Sequence, residues 1–251
     1  MGALPGRGVL SSTVLSTWFD VDRFRSQTNR LVVVWTVDRP TAVLGSTQPA
    51  DVVDRARAAR AGVEVVRRRS GGGLVYLNPG DPVWVDAWLP RGDPLWQDDV
   101  VAAAGWAGEW WRTAVAAVAG PGAAALSVHD GPSVPTAWSG AVCFAGMGPG
   151  EVADAGGRKV VGLAQWRSRQ GGLVHGCAYR QWDPRPLADV MAVDDREGLA
   201  ADLATVAVGW GDLGNLGGAR ADGGSGGGGD SLLDELLSRL PAGPPWTVVR
   251  E

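Results

Sequence analysis

Apolar and β-branched residues occur in short runs, separated by glycine, proline and charged positions, over the first 90 residues of the chain. The runs 31–38 (LVVVWTVD), 63–68 (VEVVRR) and 82–90 (PVWVDAWLP) have the length and composition of strands. Shorter runs at 41–45 and 74–77 predict two further strands. A short stretch with three glycines separates 63–68 from 74–77, which favours a hairpin between these two strands.

Apolar residues recur at helical spacing in three other segments. Residues 49–62 and 98–119 predict helices, and Asp98 or Asp99 is the expected N-cap of the second. Residues 231–241 (SLLDELLSRLP) predict a short amphipathic helix near the end of the chain.

A second strand pair is predicted in the middle of the chain. Residues 159–167 (KVVGLAQWR) and 173–182 (LVHGCAYRQW) flank the turn RQGG. Together the elements predict an α+β fold with a mostly antiparallel, mixed sheet flanked by helices. Strands and helices do not alternate regularly, which argues against a doubly wound parallel sheet.

Composition divides the chain into three parts. Residues 1–208 have the composition of one folded domain, which is expected to hold the active site. Residues 209–230 are so rich in glycine that a flexible loop or linker is expected there. Residues 231–251 are expected to form a short C-terminal helix and a tail.

Charge and cysteine content exclude several classes of function. The 251 residues carry a formal net charge of −4, so neither DNA nor an anionic membrane is an expected partner. No apolar run reaches the roughly 18–20 residues that a membrane span needs, and the first residues lack the pattern of a secretory signal. Two cysteines and two histidines without Cys-x-x-Cys spacing predict no disulfide framework and no metal site. The expected location is cytoplasmic.

One lysine stands among 22 arginines, at Lys159. On a solvated surface the two residue types are nearly equivalent, but a compact ammonium on a flexible stem is not replaceable by a planar guanidinium. Lys159 therefore has two interpretations: an exposed charge at the end of a strand, or a group that binds oxygen atoms on which charge develops. Its isolation favours the second.

The stretch VVRRRSGGGLVY carries a second candidate. Gly71, Gly72 and Gly73 have no side chains, so their backbone amides can approach a ligand closely, and Arg68 can add charge-assisted hydrogen bonds. The alternative is a flexible turn beside a solvated run of charge, since the spacing of a P-loop is absent.

Two further side chains are candidates for chemistry. Cys143 lies 16 residues before Lys159, between apolar neighbours, and is expected to be either a small buried hydrophobe or a thiol nucleophile that forms an acyl thioester. His175 lies on the second strand of the pair and is either structural or turned toward the site, with Cys177 on the same side.

Three motifs in order resemble the lipoate–protein ligase A family. They are RRRSGGG-VY, then GRKVVG-AQ-R about 80 residues later, then HG, and RPTAVLGSTQ resembles a fourth family segment. The family belongs to a superfamily with biotin–protein ligases and lipoyl or octanoyl transferases. The resemblance implies that residues 1–208 form a catalytic domain of this type, with a fold like that of biotin ligases and class II aminoacyl-tRNA synthetases.

The resemblance also implies an activity and a site. A ligase of this family activates lipoate or octanoate with ATP and Mg²⁺ as an acyl-adenylate, then transfers the acyl group to a lysine of an acceptor lipoyl domain or a glycine-cleavage H-type protein. Lys159 would hold the acyl carbonyl and the α-phosphate, and Cys143 is the second expected catalytic residue. The expected residues of the acyl-adenylate and substrate site are Arg68, Ser70, Gly71, Gly72, Gly73, Val75, Tyr76, Gly162, Ala164, His175 and Gly176.

Departures from the family pattern leave alternatives open. The family's H-D-x-G-N after the glycine loop is replaced by LNPGD (77–81), so a histidine and an asparagine expected near the phosphate are missing. Cys143 matches the position of the thiol in transferases that take octanoyl from acyl carrier protein, whereas the triple glycine matches the ligases. ATP-dependent ligation is the leading hypothesis, transfer through Cys143 the first alternative, and a non-catalytic relative that binds an acyl group or nucleotide the second. A separate accessory subunit is a further expected partner.

Overall fold

The structure, a computed structural model, describes residues 22–123, 125–213 and 228–251. Within these residues one sheet has seven strands. They are β1 (Arg30–Trp35), β5 (Val83–Pro90), β6 (Ser127–Val128), β7 (Val152–Ala153), β8 (Lys159–Arg167), β9 (Gly171–Ala178) and β10 (Trp246–Arg250). Their order in the sheet is β10-β1-β5-β9-β8-β7-β6, and all neighbouring pairs are antiparallel except β1 and β10, which are parallel.

A smaller sheet of three strands has the order β3-β2-β4. Its strands are β2 (Thr41–Leu44), β3 (Glu64–Arg67) and β4 (Val75–Leu77). β2 runs parallel to β3 and antiparallel to β4, so the two strands that flank the glycines are not neighbours. The expected hairpin is therefore wrong: the glycine segment crosses the end of β2 instead of closing a turn.

Six α-helices lie in the described residues. They are α1 (Asp22–Arg25), α2 (Arg55–Arg60), α3 (Val100–Ala119), α4 (Arg185–Val190), α5 (Arg196–Val206) and α6 (Gly228–Ser238). The carboxylate of Asp99 accepts hydrogen bonds from the first turn of α3, as expected of an N-cap. α2 is shorter than the predicted helix, because residues 50–52 form a 3₁₀ turn and Asp54 caps a new start.

The hydrophobic core is divided by the sheets into layers. α3 and α6 pack on one face of the large sheet through residues such as Trp111, Val85 and Leu236. The opposite face, including Trp84 and Leu173, packs against the small sheet. α4 and α5 then cover the outer face of the small sheet. The candidate site lies in the middle layer, between the two sheets.

The chain after the glycine-rich stretch is part of the same fold. Leu232 and Leu236 of α6 are buried against α3, and the indole of Trp110 donates a hydrogen bond to the backbone oxygen of Leu236 (2.8 Å). The expected tail holds β10, which extends the large sheet beside β1. The buried guanidinium of Arg30 fixes this end, since it binds Asp93 twice at 2.8 Å and donates to the backbone oxygen of Pro241.

Two other sequence predictions have different outcomes. Strands β8 and β9 form the expected antiparallel pair. Helices α4 and α5 were not predicted, because residues 196–206 carry small alanines between only two fully buried leucines, Leu199 and Leu203. Most of the glycine-rich stretch, residues 214–227, lies outside the described residues.

Among the described residues no helix combines the length and the apolar character needed to cross a bilayer.

Candidate functional site

A narrow cavity of about 10 Å³ lies between the two sheets, with room for about one water molecule. Its wall combines apolar side chains with a guanidinium, an imidazole and two thiols. The lining residues are Arg68, Val75, Trp84, Cys143, Phe144, Gly162, Leu163, Ala164, His175 and Cys177. Six of them belong to the residues expected from the sequence, although they come from four separate segments of the chain.

Arg68 is a buried clamp on the glycine segment. Its guanidinium donates to the backbone oxygens of Gly71 (2.8 Å), Gly73 (2.9 Å) and Val43 (3.2 Å), and to the hydroxyl of Ser70 (3.1 Å). The side chain is 1% exposed, and this burial lowers the pKa of Arg68 below its ordinary value. The guanidinium is therefore held by the protein's own carbonyls, which fixes the path of the segment from Ser70 to Gly73.

The glycines allow close contact between the segment and its surroundings. A Cβ on Gly73 would lie 2.5 Å from the carbonyl carbon of Val142. A Cβ on Gly72, whose φ is +96°, would lie 2.9 Å from Arg68 Nη2 and 3.7 Å from the Sγ of Cys143. A Cβ on Gly71, in contrast, would have nothing within 4 Å. Gly73 is thus required by packing, and Gly72 brings its backbone close to the thiol.

Cys143 begins a 3₁₀ turn that is tied to the small sheet. Its backbone amide donates to the oxygen of Leu74 (3.0 Å), and the amide of Leu74 donates to Ala141 (2.8 Å). Gln48 makes a second connection, because its side chain accepts from the amide of Gly45 (3.0 Å) and donates to Ala141 (2.9 Å). The half-buried thiol is therefore carried on a segment held from both sides.

Lys159 is the first residue of β8 and lies fully inside the protein. Its ammonium forms an ion pair with Glu151 (2.6 Å) and donates to the backbone oxygen of Cys143 (2.7 Å). It also lies 5.6 Å from the centre of the Phe144 ring. With 2% of its surface exposed, it is not the strand-end surface charge of the first interpretation. Glu151 in turn accepts from the amides of Gly148 (2.5 Å) and Leu163 (3.1 Å).

His175 of β9 and Asp86 of β5 form a second buried ionisable pair. The two residues stand directly opposite each other in the sheet, and His175 Nδ1 lies 2.6 Å from Asp86 Oδ1. The indole of Trp84 donates to the same oxygen (2.8 Å). Asp86 is fully buried and His175 is 3% exposed. The imidazole forms part of the cavity wall, as Cys143 does.

The two thiols in the cavity wall differ in their surroundings. Cys177 is 5% exposed, and burial raises its pKa well above the ordinary value, so that it stays a neutral thiol at physiological pH. Cys143 is only partly buried and lies next to Gly72 of the glycine segment. Cys143 is therefore the better placed of the two for reaction with a substrate.

Some expected site residues have other positions. Gly176 faces α3, where a Cβ would lie 2.2 Å from the indole nitrogen of Trp111, so its role in the structure is to let the helix approach. Tyr76 belongs to the core cluster beneath α4 and α5, on the far side of the small sheet. Neither lines the cavity, whereas Val75, Gly162 and Ala164 do.

The segment LNPGD, which replaces the family's H-D-x-G-N, has a structural role here. Leu77 is fully buried in the middle layer. The Asp81 carboxylate accepts from the backbone amides of Arg180 (2.7 Å) and Gln181 (3.2 Å), just after β9. Burial raises the pKa of Asp81, against the lowering effect of these hydrogen bonds. These positions serve the packing between the sheets.

A larger groove of about 1080 Å³ lies between α4 and α5. Its wall is mainly acidic and polar and contains no cysteine, histidine or lysine; its members include Asp183, Asp189 and Glu197. The smaller cavity is therefore the one that brings together groups capable of nucleophilic and acid–base chemistry. In the described part of the chain no three metal-ligating side chains are close enough to hold a metal ion.

Sequence reasoning missed Asp86 and Glu151. Asp86 stands two residues after Trp84 and two before Trp88, so it occupies a core-facing position of β5. A carboxylate at such a position indicates that it has a buried hydrogen-bond partner. The alternation of core-facing and outward-facing positions along β5 would have been enough to single out Asp86 from the sequence. The sequence around Glu151, GPGEV, is typical of an ordinary loop, so it does not indicate a buried carboxylate.

Comparison with known proteins supports one family. The model of the lipoyl protein ligase A/B catalytic domain matches residues 18–100, about a third of the chain. The bipartite lipoate protein ligase of Thermoplasma acidophilum matches in structure with a TM-score of 0.64 and 17% identity, over 91% of this chain and 77% of that chain. Over residues 18–100 the chain is therefore similar to the lipoyl protein ligase A/B catalytic domain, and it shares the fold of a solved lipoate protein ligase.

Two more solved structures share the fold of this chain. Ta0514 of T. acidophilum, described as a lipoate protein ligase and solved with bound lipoic acid, matches with a TM-score of 0.63 and 17% identity, over 98% of this chain and 89% of that chain. A lipoate–protein ligase A bound with ATP matches with a TM-score of 0.58 and 17% identity, over 91% of this chain and 79% of that chain. A comparison with curated protein sequences finds no match. The predicted α+β fold is confirmed. The family model over residues 18–100 agrees with the prediction of an enzyme of the ligase and transferase family.

Proposed function

We propose that this protein transfers a medium-chain acyl group, lipoyl or octanoyl, to a lysine of an acceptor lipoyl domain or H-type protein through a thioester on Cys143. The observation that carries the proposal is the position of the Cys143 thiol. It faces a largely apolar cavity between the glycine segment and strands β8 and β9, within a fold shared with enzymes of lipoyl attachment.

The cavity has the right chemistry for an acyl chain. Val75, Trp84 and Phe144 supply apolar surface beside the thiol. Burial of methylene groups against such surface contributes about 0.8 kcal/mol for each group. The cavity of about 10 Å³ is much smaller than an eight-carbon chain, so binding must be accompanied by movement of lining side chains.

The reaction proceeds in two displacements. The thiolate of Cys143 attacks the acyl carbonyl of a carrier thioester, a bond forms between carbon and the Cys143 sulfur, and the carrier leaves as a thiol after gaining a proton. The amine of the acceptor lysine then attacks the acyl-enzyme, forms the amide and releases Cys143 as a thiol. Neither step involves an oxidation or a reduction, and neither needs a nucleotide.

Lys159 supports this chemistry through the backbone. Its ammonium binds the carbonyl oxygen of Cys143 and so fixes the segment that carries the thiol (2.7 Å). Arg68 fixes the neighbouring glycine segment in the same way, through the backbone oxygens of Gly71 and Gly73. Lys159 and Arg68 are thus assigned to positioning the nucleophile.

ATP-dependent ligation is the second candidate, and the glycine segment is the observation that favours it. Three glycines beside an arginine and the likeness to an ATP-bound relative support a nucleotide site, with ATP and Mg²⁺ as cofactors. The cations fit this function less well, since Arg68 is held by three carbonyls and Lys159 by Glu151. Leu77 and Asp81 occupy the positions of the histidine and the asparagine that the family pattern places near the phosphate.

An acceptor-labelling experiment separates these functions. Purified protein is mixed with an apo lipoyl domain and given either an octanoyl–carrier protein thioester without nucleotide or lipoate with MgATP. The mass of the acceptor is then measured. We expect an octanoyl mass increase without ATP that is lost in Cys143→Ser and retained in Cys177→Ser.

The other outcomes identify the alternatives. A lipoyl mass increase that requires ATP and persists in Cys143→Ser would establish the ligase and contradict the thioester route. If neither donor modifies the acceptor, the experiment is repeated with the bipartite partner of a relative as an added subunit, since one structural relative is bipartite. A negative result there as well would indicate a non-catalytic relative.

A further inference from the structure

His175 lines the cavity and is paired with the fully buried Asp86, and neither residue has a role in the reaction as described so far. The two side chains come from the neighbouring strands β5 and β9, at directly opposed positions. Their separation of 2.6 Å and their near-complete burial make a strong, charge-assisted hydrogen bond. A buried carboxylate in a sheet core is costly unless it is bound, so its retention beside a candidate nucleophile calls for a function.

The hydrogen bonds determine which nitrogen of the ring carries the proton. An ionised carboxylate only accepts hydrogen bonds, and Asp86 Oδ1 accepts one from the indole nitrogen of Trp84. His175 Nδ1, 2.6 Å from the same oxygen, is therefore assigned as the protonated nitrogen that donates to it. In the neutral ring the second nitrogen, Nε2, consequently keeps its lone pair and can accept a proton.

The geometry points to His175 as the base that takes the proton of the Cys143 thiol, with Asp86 as the positioning residue that orients the ring. This inference rests on the proposed thioester route. His175 and Cys143 line one cavity that holds about one water molecule, so the proton passes directly or over that single water.

The proton balance closes over both displacements. His175 Nε2 takes the proton from the Cys143 sulfur as the carbon–sulfur bond forms, and gives it to the sulfur of the departing carrier. In the second displacement it takes a proton from the attacking lysine amine and returns it to the Cys143 sulfur. Asp86 keeps its hydrogen bond to the ring throughout and stabilises the imidazolium that forms in each step.

Other charged or titratable groups lie near the ring or near Cys143. Asp86 of β5 binds the ring, and Cys177 of β9 and Arg68, which directly follows β3, line the same cavity. Lys159, at the start of β8, binds the backbone oxygen of Cys143. Arg68 and Lys159 remain in all variants considered below. A change caused by His175 is therefore measured against a constant electrostatic background.

The test measures the reactivity of Cys143 directly. The full-length protein is treated with iodoacetamide over a range of pH, and peptide mass spectrometry distinguishes label on Cys143 from label on Cys177. We expect the labelling of Cys143 in His175→Gln and in Asp86→Asn to be about tenfold slower at pH 7 than in the wild type, with the pH of half-maximal rate moved upward. His129→Gln changes the chain's other histidine and should match the wild type.

Folding and function are controlled separately. Asp86→Asn keeps the size of the side chain and an oxygen for Trp84, so it carries the test if His175→Gln does not fold. Acyl transfer should fall about 10²-fold in either variant. Unchanged labelling of Cys143 in a folded variant would overturn the role of His175 even where Cys143-dependent transfer is intact. Slower labelling of Cys143 in the variants, together with a wild-type protein that transfers no acyl group, would contradict the proposed function and leave the pairing of His175 with Cys143 in place.

Discussion

Lys159 combines an electrostatic role with a structural one at the scale of a single residue. Its ammonium is enclosed between the Glu151 carboxylate and the Cys143 carbonyl, with 2% of the residue exposed. The isolation of this lysine among arginines correctly indicated an unusual site. The sequence could not indicate that its partners are an acid eight residues earlier and a backbone oxygen, because both contacts depend on how the loop before β8 folds.

The ion pair predicts a specific pattern of stability. Lys159→Met leaves the buried Glu151 carboxylate without its cation and should lower the free energy of unfolding by about 3–5 kcal/mol, as measured by urea denaturation. The double variant Lys159→Met/Glu151→Gln should recover most of that loss, because no unpaired charge remains. Arg239→Met, which removes an exposed pair with Glu235, is the control and should change stability by less than about 1 kcal/mol. Equal effects of Lys159→Met and Arg239→Met would contradict the enclosed ion pair.

The segment between β3 and β4 determines the site at the scale of elements. It crosses the end of β2, is clamped by Arg68 and presses against Val142 beside the candidate nucleophile. Its glycines were identified from the sequence as a ligand loop or a hairpin turn. The structure assigns a distinct reason to each, since Gly73 has no room for a side chain and Gly71 has open space.

A matched pair of substitutions tests this packing. Gly73→Ala places a methyl group 2.5 Å from the backbone of Val142 and should lower the free energy of unfolding by about 1–3 kcal/mol. The methyl group added in Gly71→Ala has no neighbour within 4 Å, so the free energy of unfolding of this variant should stay within about 0.5 kcal/mol of the wild-type value. Both values come from chemical denaturation followed by circular dichroism. A destabilisation of Gly71→Ala as large as that of Gly73→Ala would contradict the packing described for this segment.

The molecule as a whole brings together residues from distant parts of the chain, and this limits what its sequence predicts. Local elements such as β1, β5, α3 and the β8–β9 pair followed from apolar patterns. The pairing of β5 with β9 spans about 90 residues, so no local pattern reveals that Asp86 faces His175. β10 joins the large sheet through contacts with β1 and Arg30, which lie more than 200 residues away.

The candidate site was predicted only in part, because its residues also come from distant parts of the chain. Arg68, Cys143 and His175 were expected, and the fold brings all three to one cavity. Their motif positions made them recognisable without knowledge of the sheet order. The cavity's enclosure between two sheets, with the acids that support the basic groups, could be obtained only from the assembled layers.

The central claim is that the acyl group is carried on Cys143, and the acyl-enzyme itself is the most direct test. The protein is incubated with an octanoyl–carrier thioester in the absence of acceptor and nucleotide, quenched with acid, digested and analysed by mass spectrometry. The account predicts an octanoyl group on the Cys143 peptide that is removed by hydroxylamine and absent in Cys143→Ser. If the same reaction with acceptor added acylates the acceptor while Cys143 never carries the acyl group, the account is contradicted.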